Sequence, residues 1–224
     1  MKEAWPVLWL SIQTALAATL CILPFGIALG WILVRKQFVG KSLFESLIQL
    51  PLVLPPVVTG YFLLLILGPK GFIGEWLNSW GIHIAFSWYA AVIASATVSL
   101  PLIVRSIQVS FRAIDARLED TARTLGASEV AIFWSITLPL ARPGIIAGSL
   151  LAFARSLGEF GATIVFAGNI SGQSQTIPLA IFQSINTPNG MEKTKILVIS
   201  AIIFSYICMF ISEWILKKVH HADD

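Results

Sequence analysis

Residues 114–139, IDARLEDTARTLGASEVAIFWSITLP, form the longest charged interval in a chain that is otherwise mostly apolar. Arg112, Asp115, Arg117, Glu119, Asp120, Arg123 and Glu129 all lie in or beside it. Its first half reads as a short helix. Asp115 is placed to cap the N-terminus, and Glu119 and Asp120 follow early, where the helix dipole favours acids. Gly126 supplies the left-handed residue that commonly ends such a helix. Ser128 and Glu129 start a second helix bearing Val130, Ile132, Phe133 and Trp134, and Pro139 is expected to close the unit. Two short helices joined at a glycine make a knob able to present a shaped surface to another protein. The plainer reading is an amphipathic surface loop without a partner.

The flanking sequence decides what carries this knob. Of the 224 residues, 56% are hydrophobic and only 12% charged, against about 25% charged in soluble chains. Mean hydropathy is +0.81. The chain therefore reads as an all-α polytopic membrane protein, a single transmembrane domain over residues 1–224, with five spans near 7–34, 43–67, 88–109, 143–167 and 196–216. The net charge of +3 and pI near 9.0 would suggest nucleic acid in a soluble protein. Here they reflect Lys and Arg that orient the helices, and no nucleic-acid partner is expected. Cys21 and Cys208 lie inside apolar runs and read as small buried hydrophobes rather than a disulfide. His83, His220 and His221 have no metal-ligand spacing, so neither a metal nor another cofactor is expected on the chain.

Lys2 before an apolar run, with Ala15-Leu16-Ala17, also fits a signal peptide. The run continues to Val34 and ends at Arg35-Lys36, longer than a cleaved segment needs, so it is read as span one. Trp5 and Trp9 sit where an interfacial aromatic belt would place them. Span two contains Pro51, Pro55 and Pro56, which remove backbone donors and kink the helix, as pore-lining or gating elements do. Residues 68–87, with Trp76 and Trp80, read as an external loop. Span three carries Pro101 and a small-residue face of Ala94, Ser95 and Ser99. In span four Gly144 and Gly148, like Gly26 and Gly30 in span one, permit close helix approach. Residues 169–195 read as a long external loop with a short amphipathic helix at 177–185. Gln13, Thr14 and Thr19 read as helix contacts, and Glu213 as an interfacial carboxylate.

Topology follows from counting cations. With the N-terminus outside and the C-terminus inside, cytoplasmic segments hold Arg35, Lys36, Lys41, Arg112, Arg117, Arg123, Arg142, Lys217 and Lys218. The outer segments hold only Lys2, Lys70, Lys193 and Lys195. This asymmetry puts the knob in the cytoplasm. Arg155 and Glu159 remain inside span four. Charges there cost about 2.5–3.5 kcal/mol each on insertion scales, so they face a cavity or each other. At i, i+4 they can pair on one helix face, either as a satisfied ion pair holding the bundle together or as part of a transport path. Ser156 and Thr163 flank them with hydroxyls for an anion.

The knob resembles the signature loop of ABC-importer permeases, an acid and two small residues, a glycine six positions after the acid, then I-x-L-P. Asp120, Thr121, Ala122, Gly126, Ile136, Leu138 and Pro139 fall on that spacing. Asp120 replaces the usual Glu and Thr121 the usual Ala, and Glu119 is placed to share the acidic role. The run Arg155-Ser156-Leu157-Gly158-Glu159-Phe160-Gly161-Ala162-Thr163 is similar to molybdate permeases of that class and, less closely, to sulfate permeases. So are Leu50–Val58 and Phe72-Ile73-Gly74-Glu75.

The resemblance implies the type I importer fold, with residues 115–139 as a coupling helix seated on an ATP-binding subunit. It implies two such subunits using ATP and Mg, a second permease copy, an extracytoplasmic molybdate-binding protein, and a bacterial inner membrane and its lipid as setting. Substrate is expected to be molybdate, with sulfate, thiosulfate or tungstate as alternatives. Pro51, Pro55, Pro56, Ser99, Arg155, Ser156, Glu159 and Thr163 are the expected path and gate. No phosphate-binding loop, dinucleotide fingerprint or H-E-x-x-H motif occurs, so no catalytic residue is expected. A membrane-embedded enzyme using Arg155 and Glu159 would need a further base or metal cluster. A self-contained secondary transporter would need internal repeats or more spans.

Overall fold

A computed structural model describes residues 4–188 and 190–220. Lys2, and the side chains of Glu213, Lys217, Lys218 and His220, lie outside the described part, as does His221. Among the described residues, three helices are long and apolar enough to cross a membrane singly: α1 (Ala4–Arg35), α5 (Trp88–Ala113) and α12 (Met191–His220). Two bent pairs bring the count of crossings to five if each is one span.

The first bent pair falls in the expected proline-broken span at 43–67, and the kink there is a full break. α2 (Lys41–Val53) and α3 (Pro56–Leu67) are separate helices at 113° to each other. Pro55 and Pro56 have no N–H to continue the ladder, and proline disfavours helical geometry at the preceding residue. Leu54 is accordingly extended, and Pro56 opens the new helix at its first turn, where a missing donor is harmless. Between α3 and α5, the expected external loop contains a helix, α4 (Phe72–Ser79), and residues 177–185 form the expected short helix, α11 (Ile177–Ile185). α12 starts five residues before the expected span, inside the expected loop.

Span four is also interrupted. After α9 (Arg142–Leu157) the chain breaks at residues 158–160 and resumes as α10 (Gly161–Phe166). α5 is the hub of the bundle, packed against α1, α9, α10 and α2. Its C-terminal half meets α1 and α9 through Ile103, Val104, Ile107 and Phe111, all buried. Its N-terminal half packs through Ala90, Ala91, Ala94 and Val98 on Ala162 and Phe166 of α10 and on α3 leucines. A Cβ at Gly144 would stand 2.3 Å from Ser110 Cβ, and one at Gly60 would stand 2.6 Å from the Ala162 carbonyl oxygen. Those glycines set the α9–α5 and α3–α10 separations. Of the polar residues in α1, Thr14 accepts a bond from Trp88 Nε1 at 3.1 Å, as expected. Thr19 is buried with its hydroxyl turned back onto the Ala15 carbonyl, while Gln13 is exposed. Both Thr14 and Thr19 take the helix-internal option open to a hydroxyl.

Candidate functional site

The knob is built as its sequence indicates up to its end. Asp115 Oδ1 accepts from Arg117 N at 3.0 Å and opens α6 (Ala116–Thr124). Gly126 has φ +88°, a value that costs other residues steric strain. Ser128 Oγ accepts from Ala131 N and opens α7 (Glu129–Ile132). Pro139 does not close the second helix. A π-turn at Phe133–Thr137 leads into α8 (Leu138–Leu140), and the 66° bend comes after Leu140. Pro139 brings no N–H for the Ser135 carbonyl, and the widened turn places Leu138 N on Phe133 O instead.

Two acids that are neighbours in sequence face opposite ways. Glu119 is 8% exposed; its Oε1 accepts from Arg35 Nη2 and from Thr137 Oγ1, both at 2.8 Å. It fastens α6 to the C-terminal end of α1 and to the π-turn. Asp120 is exposed and meets Arg123 Nη1 at 2.6 Å. Arg123 Nε also reaches Glu129 at 2.6 Å, bracing α6 against α7. The Arg123 hydrogen bond holds the Glu129 carboxyl below the usual carboxylate range. The brace therefore survives acidification through that range and is released only below it. Thr121 is exposed with its hydroxyl on the Arg117 carbonyl, and Ala122, Ile136, Leu138 and Pro139 are partly buried supports. Leu125 (83% exposed), Val130 (68%) and Trp134 (64%) leave an apolar crest beside Asp120.

The second cluster lies at the α9–α10 break. Glu159, expected on a helix with Arg155, sits just past the α9 end instead. It is 2% exposed; Oε1 accepts from Ala162 N at 2.7 Å and so caps α10. Oε2 stands 2.7 Å from Arg155 Nη1 but off the donor axis, an ionic contact without a hydrogen bond. Ser156 and Ser99 are buried and share a 2.9 Å hydrogen bond. Thr163 donates to the Phe160 carbonyl at 2.9 Å. Both hydroxyls expected to face an anion are thus engaged within the bundle in this structure. Pro56 lies against Gly161, where a Cβ would come within 2.8 Å of Pro56 Cβ. Pro51, in the last turn of α2, and Pro55, which caps α3, shape the adjacent break. The sequence does not mark Arg35 and Thr137 as the partners of Glu119: Arg35 reads as a topology cation, and a lone threonine inside I-x-L-P carries no signal of its own.

The chain matches the family described as "Binding-protein-dependent transport system inner membrane component" over residues 22–221. It belongs to that family. Relatives within reach of direct comparison include the "Molybdenum transport system permease protein ModB" of Haemophilus influenzae, 52% identical over 94% of this chain and 92% of that protein. The protein of the same name from Escherichia coli strain K12 is 51% identical over 95% and 93%. The "Sulfate transport system permease protein CysW" of Synechocystis is 42% identical over 71% of this chain and 58% of its own length. Among solved structures, this family member superposes on a chain of a bacterial alginate ABC transporter with TM-score 0.78 at 13% identity, covering 98% of this chain and 80% of that one. A chain of the MetNI methionine ABC transporter gives 0.69 at 17% identity over 97% and 94%. At such identities the likeness is one of fold, the type I importer permease fold. The chain is therefore a transporter component of the inner membrane.

Proposed function

We propose that the chain is the membrane permease subunit of an ATP-driven molybdate importer, with residues 115–139 as its coupling element. What supports the coupling is the crest of Leu125, Val130 and Trp134 beside Asp120, carried on a knob that Glu119 fastens to α1. What supports molybdate is the near-complete overlap with two molybdenum permeases, against the shorter match to a sulfate permease. The N-terminus lies outside and the knob inside, where separate ATP-binding subunits use ATP and Mg. A binding protein delivers the anion to the outer face. α12 presents an apolar face, and an apolar groove of about 930 Å³ runs between α9, α11 and α12. A second copy of the permease completes the path. Work in this reading is conformational: ATP binds two arrangements of the assembly with different affinity, and the knob passes the difference to the bundle. The breaks at residues 54–55 and 158–160 are where the bundle changes shape.

Cells lacking the chain should lose uptake of labelled molybdate at low concentration and regain it on complementation, with sulfate uptake unchanged. Loss of sulfate uptake alone would move the protein to the sulfate class. No change in either anion would reject an oxyanion substrate.

Docking is tested separately. Trp134→Ala should weaken co-purification of the ATP-binding subunit at least tenfold, since a central aromatic at an interface commonly contributes about 2 kcal/mol or more. Unchanged association would remove the crest from the interface.

A further inference from the structure

α5 carries one face that is dry in its outer half and open in its inner half. Ala91, Val98, Arg105 and Arg112 recur at steps of seven, and so lie along one side of the helix. The first two are buried, Ala91 at 0% and Val98 at 1% exposed, under Ala162, Phe166 and the α3 leucines. Below Val98 that cover ends. The Arg105 side chain is 59% exposed, Val109 is 61% exposed and Arg112 is exposed. Arg105 lies four residues, or about 6 Å, inside the expected end of span three at Val109. A guanidinium there is disfavoured against hydrocarbon and draws water or an anion. Its partner here is Glu45 Oε1 of α2, at a loose 3.8 Å. Gln108 Nε2 also donates to that oxygen, at 3.2 Å, and thereby holds the carboxylate near the helix.

We propose that Arg105 is an anion station on the inward side of the seal made by α3 and α10, taking a tetrahedral oxyanion once the seal opens. This rests on the importer reading and adds to it a residue outside the expected path. The guanidinium offers a fork of N–H donors matched to two oxygens of such an anion. Glu45 is the competing carboxylate that keeps the station from holding its cargo tightly. Arg112, about 10 Å further inward by helical rise, extends the positive field toward the cytoplasm. The same guanidinium chemistry would accept the phosphate of a lipid headgroup, and the test separates the two.

The experiment uses the complete importer, with ATP-binding subunits and binding protein, in phosphatidylcholine vesicles. The permease carries Val109→Cys, with Cys21 and Cys208 replaced by alanine. Two water-soluble thiol reagents of equal size and opposite charge are applied from the ATPase side. Reaction with the anionic reagent should be about fivefold faster than with the cationic one, and Arg105→Gln should abolish the preference. Millimolar molybdate should slow the anionic reagent only when Arg105 is present. A thiol inert to both reagents would show a covered face and overturn the proposal. So would a preference that survives Arg105→Gln, or the absence of molybdate protection. Loss of the preference on adding phosphatidylglycerol, with molybdate without effect, would assign Arg105 to lipid and overturn it as well. Molybdate uptake by the unaltered importer tests the underlying reading independently: uptake alongside a failed labelling result removes Arg105 alone.

Discussion

Glu119→Ala is expected to lower molybdate uptake at least tenfold and to reduce the stability of the chain by about 2–3 kcal/mol. Removing one partner of a buried ion pair costs about 3–5 kcal/mol because the other charge is left without compensation. Here the Arg35 and Glu119 side chains retain 20% and 10% exposure, so the cost falls at or just below the lower end of that range. Arg35 Nε already lacks a hydrogen bond, and loss of Glu119 would leave Nη2 without this partner too. Thr137 would also lose its acceptor, loosening the π-turn. Asp120, one residue on, points outward, so the two acids should separate cleanly. Asp120→Ala should act on association with the ATPase and leave thermal stability nearly unchanged. Arg35→Met with Glu119→Met replaces the pair by packing volume and should recover most of the stability. Thermal unfolding in detergent, read beside uptake, distinguishes these effects. A Glu119→Ala protein with normal midpoint and uptake would remove the fastening from the mechanism.

The second large effect is expected at Glu159. Glu159→Ala removes the cap on Ala162 N and the charge facing Arg155, at a residue only 2% exposed. Cap loss alone is worth about 1 kcal/mol, and the orphaned guanidinium adds to it. Uptake should fall by about a hundredfold. Glu159→Gln keeps an acceptor for Ala162 N but not the charge, and should fall by about tenfold. Comparing the two at matched membrane levels isolates the cap from the ion pair. Equal losses would mean the cap contributes nothing, and wild-type uptake in both would remove the α9–α10 break from the transport path.

Much of this architecture was legible in the sequence because it rests on local chemistry. Asp115, Gly126 and Ser128 act through contacts within a few residues, and each does what its type and position indicate. Helix α11 matches the expected segment for the same reason. Prolines at 55 and 56 announced a break, but their sequence carries no angle; α2 and α3 diverge because their packing partners differ. Gly158 and Gly161 allow a bend at residues 158–160 but do not announce a full break, since Glu159 can serve a helix interior or a cap equally well. The sequence places Asp120 at the acidic position of the loop with Glu119 sharing its role, and does not say which of them turns inward. Arg35, 84 positions earlier, decides which of them turns inward. Long-range pairs of that kind leave no periodic trace in either segment.

The π-turn at Phe133–Thr137 has a bearing on which insertions and deletions the knob tolerates. A π-turn holds one residue more than the α-turn it replaces. Trp134 on its outer side and Thr137 on its inner side are therefore phased by a surplus residue. Deleting one residue between them would let the helix close as an α-turn with the segments on either side near their present phase, whereas adding one more would rotate everything that follows by about 100° relative to what precedes it. Thr137 would then swing off Glu119. The segment thus tolerates losing a residue better than gaining one.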